Sequence, residues 1–116
     1  MNVLNVFAKP NEKNRMFTIP MGATGLAYGD ITKASYVREG AAADVAITPA
    51  DATLGTYTSG GFKEIDGTNA PGLYQFGVPN AALVQGCKAV DIIIHVAGAL
   101  AEDLCIHINL IRALAY

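Results

Sequence analysis

Apolar and polar residues alternate along most of this chain with a period of two, the spacing that turns successive side chains to opposite faces of a strand. Eight segments carry the pattern: Val3–Ala8, Met16–Met21, Ile31–Arg38, Asp44–Thr48, Gly61–Asp66, Leu73–Val78, Ala89–Val96 and Leu104–Ala113. Turn-forming clusters separate them, among them Lys9-Pro10-Asn11, Tyr28-Gly29-Asp30, Glu39-Gly40, Ser59-Gly60-Gly61 and Asp66-Gly67-Thr68-Asn69. Pro79–Gln85 alone reads as helical, a single turn with proline at its start and Gly86 just past its end. Short strands at this spacing predict an all-β fold, an immunoglobulin-like β-sandwich of about 7–8 short antiparallel strands. A single domain over residues 1–116 is expected, with residues 1–20 serving as an N-terminal arm or edge strand used in assembly.

The last two segments define a hairpin with a specific register. Val90, Ile92, Ile94 and Val96 share one face, as do Leu104, Ile106, Ile108 and Leu110. Cross-strand partners lie on the same face, so Ile94 is expected opposite Leu104 and Ile92 opposite Ile106. The same register sets His95 against Asp103 and Asp91 against His107 on the face away from the core. Cys105 then opposes Ile93, and Cys87 falls near position 111, so two free thiols are expected rather than a disulfide.

A second local signal sits in Asn69-Ala-Pro-Gly-Leu-Tyr-Gln-Phe76. A tyrosine just inside a strand, two residues after glycine, is the arrangement of a tyrosine corner, in which the hydroxyl bonds back to the preceding turn. Phe76 would then occupy the inward position held by a cysteine in antibody domains. Gly55-Thr-Tyr-Thr-Ser-Gly-Gly-Phe62 lines up with Gly67-Thr-Asn-Ala-Pro-Gly-Leu-Tyr74 at an offset of 12, so both read as Gly-rich turns that deliver an aromatic onto a strand. The role expected for Tyr74 is structural.

Composition narrows the partners. Charged residues make up 16 % of the chain, against about 25 % in an ordinary soluble domain. Mean hydropathy is positive, at +0.31. Two readings compete: alanine runs such as Ala41-Ala42-Ala43 inflate the apolar count, or apolar surface is covered by other subunits, which is the reading favoured. The formal charge of −2 and the scattered Lys and Arg argue against nucleic acid as a partner. The N-terminal residues lack the charged and continuously apolar regions of a signal peptide, and no segment approaches the roughly 18 apolar residues of a membrane span. Synthesis in the cytoplasm follows as the expectation, with no membrane partner.

Chemistry-bearing groupings are few. His95, Cys105 and His107, with Asp91 and Asp103 nearby, are residue types that ligate transition metals, but ladder pairing of each His with an Asp is the simpler expectation. Glu64 and Asp66 share a strand face as acid–base carboxylates do, yet they sit at the start of a turn where solvated carboxylates are ordinary. No nucleophile elbow, phosphate loop or calcium loop is present in the sequence. No catalytic, cofactor-binding or metal-ligating set is therefore expected, and the chain is read as a non-enzyme without cofactors.

Glu64-Ile-Asp-Gly-Thr-Asn-Ala-Pro-Gly-Leu-Tyr74, Val78-Pro-Asn-Ala-Ala-Leu83, Gly25-Leu-Ala-Tyr28 and Ser35-Tyr-Val-Arg-Glu-Gly40 resemble segments of small β-rich proteins encoded in the structural gene clusters of tailed bacteriophages and prophages. The resemblance spans residues 24 to 96 and rests on turn residues. It implies a virion structural protein of the head-decoration (capsid cement) or tail and fibre accessory type. Its expected partners are itself, as a homo-oligomer, and capsid or tail subunits. The Val3–Ala8 strand is expected to pair with a neighbour, and deletion of Met1–Lys9 to weaken assembly more than folding. The alternative is a β-sandwich adhesion module for host glycans, which requires a shallow pocket lined by Tyr28, Tyr36, Tyr57 or Phe62.

Overall fold

The structure, a computed structural model, describes residues 1–98 and 101–111. Its strands are β1 (Asn2–Ala8), β2 (Met16–Pro20), β3 (Ile31–Arg38), β4 (Val45–Ala46), β5 (Phe62–Asp66), β6 (Ala70–Gly77), β7 (Ala89–Val96) and β8 (Leu104–Leu110). They form a five-stranded sheet in the order β1-β8-β7-β3-β4 and a three-stranded sheet in the order β2-β6-β5. The two sheets pack face to face, so the all-β sandwich expected from the alternation is the fold. Strands β2-β6-β5 have the order B-E-D of an immunoglobulin sandwich, and β8-β7-β3-β4 the order G-F-C-C′.

Both inner faces supply the core. Phe17, Ile19, Phe62, Tyr74 and Phe76 come from the smaller sheet, and Ala34, Tyr36, Ile92, Ile94, Leu104, Ile106 and Ile108 from the larger. Phe62 and Tyr74, the aromatics of the two similar turn-to-strand segments, stack on each other with centroids 4.6 Å apart and planes 6° from parallel. Val78, Ala82 and Leu83 are fully buried in the same core. Ala82 and Leu83 belong to a short 3-10 turn (Asn80–Leu83) within the segment expected to be helical. Arg38 at the end of β3 clamps that turn, donating from its guanidinium to Ala82 O at 2.9 Å and Gln85 O at 3.1 Å.

Four expectations need correction. Strand β1 runs parallel to β8, with Asn2 beside Leu104 and Ala8 beside Leu110, so the sheet is not wholly antiparallel. The two strands are joined by no hairpin, and nothing in the connection forces opposite directions. The fourth strand is two residues long rather than five, with Val45 beside Tyr36 and Ala46 beside Ser35, and Ile47 adds one hydrogen bond to Ala34 O at 2.9 Å beyond it. Tyr74 is not on the strand that carries a tyrosine corner. It lies on β6, the E position, while the F position belongs to β7. The Asp66–Asn69 turn is a hairpin within one sheet, where Asp66 Oδ1 accepts from the backbone of Thr68 and Asn69. Tyr74 therefore follows a hairpin rather than a crossing between sheets, and Phe76, though fully buried, is not at the antibody cysteine position. The eighth strand is described as far as Leu110, and residues 112 and 113 of the expected strand lie outside the described residues.

Candidate functional site

The expected register of the β7–β8 hairpin is the one observed: Ile94 pairs with Leu104, Ile92 with Ile106, Asp91 with His107 and Ile93 with Cys105. Because even-numbered residues fill the core, the odd-numbered ones build the outer face of the larger sheet. His95 Nδ1 lies 2.8 Å from Asp103 Oδ2, and His107 Nδ1 2.6 Å from Asp91 Oδ1. Each histidine thus has its own carboxylate across the ladder. Asp103 also accepts from Val96 N–H at 3.0 Å, and its carboxyl is held below the usual range, first by the His95 hydrogen bond and then by that amide. The Cys105 thiol points to Asp91 Oδ1 at 3.7 Å, and burial together with that carboxylate pushes its pKa up, away from the thiolate that attacks or ligates. Among the described residues no three His, Cys, Asp or Glu side chains are placed to hold a metal ion. Cys87, half-buried ahead of β7, is free, as is Cys105.

Strand β1 extends this face, which was not foreseen. Val3 lies beside Cys105, Asn5 beside His107 and Phe7 beside Asn109. On the far side, Lys33 adjoins His95, and Asp44 meets Lys33 Nζ at 3.5 Å, its carboxyl held low first by a hydrogen bond from Ser35 and then by that lysine. The signal for β1 was present in the chain: Val3, Asn5 and Phe7 alternate with Leu4, Val6 and Ala8, but both sets are mostly apolar, so the alternation does not say which faces out.

Glu64 and Asp66 have local structural work. Glu64 accepts from Thr24 Oγ1 at 2.6 Å, Gly25 N–H at 3.0 Å and Gly72 N–H at 3.1 Å, tying the β2–β3 connection to the β5–β6 hairpin. Its carboxyl is held low, the Thr24 hydroxyl being the largest cause. Asp66 is occupied by its own turn. Above the same hairpin an open depression of about 320 Å³ is lined by Leu26, Asp51, Lys63, Glu64 and Ile65, among others. Lys63 and Asp51 approach to 3.9 Å across it, and Glu64 is already saturated with donors, so no acid–base pair converges there.

The four aromatics of the glycan alternative do not assemble into a platform. Tyr36 and Phe62 are buried in the core, Tyr57 donates its hydroxyl to Val78 O at 2.6 Å, and Tyr28 is the exposed one of the four. No helix among the described residues is long and apolar enough to cross a membrane. No family model, curated protein or solved structure matches the chain.

Proposed function

We propose that this chain is a non-enzymatic assembly protein, a β-sandwich that acts by docking on other protein subunits. One observation carries the reading: large apolar side chains are exposed together along a single edge strand and just ahead of it, with Val3 61 % and Phe7 59 % exposed on β1 and Met1 68 % exposed beside its first residue. Isolated exposed hydrophobics are ordinary, but a group of them on a sheet edge marks an interaction surface. The low charged fraction supports the same reading. So does the adjoining face, where both histidines are engaged in holding the β7–β8 ladder.

The likeness of residues 64–74 and 78–83 to tailed-phage structural proteins supports placing that assembly in a virion, as a capsid-decoration or tail-accessory component. Capsid or tail subunits are then the partners, alongside further copies of the chain. In a lysate in which such particles form, the protein is expected to sediment with purified particles through a density gradient and to stay with them on washing. Recovery entirely in the slow-sedimenting fraction overturns the virion placement.

A further inference from the structure

The four sheet edges differ in how they are guarded against pairing with another chain. Strand β4 is two residues long. Strand β2 ends in Pro20, which has no N–H to donate. Strand β5 carries Lys63, breaks register between Glu64 and Asp66, and begins beneath Ala50, whose carbonyl accepts from Phe62 N–H at 2.9 Å. Charge, proline, bulges and covering segments are the usual devices for blunting an edge. Among the described residues, strand β1 has none of them. It runs seven residues in unbroken register, and residues 1–8 contain neither a charged side chain nor a proline.

The direction of its backbone groups follows from the bonds it makes to β8. Asn2 N–H donates to Asp103 O at 3.0 Å, and Ala8 O accepts from Ile111 N–H at 2.9 Å, so the even-numbered residues face β8. Successive residues of a strand turn their N–H and C=O to opposite sides. Val3, Asn5 and Phe7 therefore direct theirs outward, and no backbone group among the described residues meets them.

We propose that β1 pairs antiparallel with β1 of a second copy of this chain, about a two-fold axis through Asn5. This inference rests on the assembly reading and names its first partner. The axis sets Val3 of each copy opposite Phe7 of the other and Asn5 opposite Asn5. All three outward-facing residues are then used, with about six new backbone hydrogen bonds, two from each facing pair. A slip of one residue sets outward groups against inward ones, and a slip of two leaves Phe7 or Val3 facing a residue beyond the strand. Within this register the side chains are self-complementary. An aromatic meets a β-branched residue twice, two amides meet at the axis, and no like charges are brought together along the paired strands. One strand pair buries less than the roughly 1,600 Å² of a standard interface, so the dimer exchanges with monomer on dilution.

Light scattering on the purified full chain over a concentration series tests this. The mass is expected to rise from that of the monomer towards twice that value. Replacing Val3→Lys together with Phe7→Lys sets lysine against lysine at both outer pairs and is expected to leave only monomer. Val3→Lys with Phe7→Glu sets lysine against glutamate in this register alone and is expected to restore the dimer. Both side chains are exposed, so far-UV circular dichroism should keep its wild-type form, and the urea midpoint should match that of the wild type at dilutions where the wild type is monomeric, since dimerisation itself stabilises the fold. As an independent reading, Asn5→Cys in a Cys87→Ser, Cys105→Ser background should cross-link on oxidation while Val3→Cys does not, since facing hydrogen-bonded residues have Cα atoms about 5.5 Å apart, within disulfide reach. A wild-type chain that stays monomeric at every concentration, or an Asn5→Cys variant that does not cross-link, overturns the pairing. An oligomer indifferent to the double lysine variant also overturns it, yet leaves the assembly reading standing. That broader reading falls only if the protein is in addition absent from particles.

Discussion

Tyr74 holds two backbone groups that no strand ladder reaches. Its hydroxyl accepts from Leu26 N–H at 2.9 Å and donates to Ala23 O at 2.7 Å, pinning the long β2–β3 connection onto the smaller sheet. The ring is fully buried, and burial is the largest reason its hydroxyl pKa is raised, so the phenol stays neutral and keeps its proton for Ala23. Gly72, two residues before it, has φ +84°, in the left-handed region, and supplies the carbonyl that accepts from Met21 N–H. Glu64 meets the same connection from the other side. Replacing Tyr74→Phe keeps the packing and strands the Leu26 amide and the Ala23 carbonyl, which should cost about 1–3 kcal/mol in a urea unfolding experiment. Unchanged stability would mean that water takes over both groups. The tyrosine and its structural role were legible in the sequence. Its partners were not, because they lie 48 and 51 residues away in the chain, beyond any local pattern.

At the level of elements, alternation revealed faces and left directions open. Strands β3 and β7 have the bounds expected: Val90, Ile92 and Ile94 of β7 are fully buried, and Ala34 and Tyr36 of β3 are buried beside them. The β7–β8 register was readable because a one-residue slip of either strand would turn its own apolar set, Ile92 and Ile94 or Leu104 and Ile106, to solvent. The parallel course of β1 was not readable, since a period of two is the same in either direction. The hairpin also makes an acid-sensitive prediction. Asp103 has a depressed carboxyl pKa in the folded protein, so its contribution to stability is full above the ordinary carboxylate value and is lost as pH falls through the folded value. Wild type and Asp103→Asn should therefore differ in urea midpoint in mildly acid solution, where the carboxylate is ionised. The gap should close below about pH 4. A gap independent of pH down to the acid limit would assign the difference to something other than the carboxylate charge.

Across the whole molecule, the first and last described strands are neighbours, so β1 closes the larger sheet only after nearly the entire chain has been placed. That position changes what truncation would report. The sequence suggests that removing Met1–Lys9 should harm assembly more than folding, as expected of a detachable arm. In the structure β1 is part of the sandwich: Ala8 is buried, Leu4 and Val6 pack on the core, and every residue of the strand is in register with β8. Deletion would remove those side chains and bare β8, whose inner residues Leu104, Ile106 and Ile108 belong to the core. A loss on the order of 3–5 kcal/mol follows from burial of about two aliphatic side chains, a large part of the 5–15 kcal/mol of a typical domain. The truncated chain is expected to unfold at lower urea and to aggregate through the newly opened β8 edge. By contrast, lysines at positions 3 and 7 should alter association and, at dilutions where the wild type is monomeric, leave the midpoint in place. A truncated protein with the wild-type midpoint would show β1 to be a detachable arm after all, so comparing the two variants separates β1 as a strand of the fold from β1 as a surface for a neighbour.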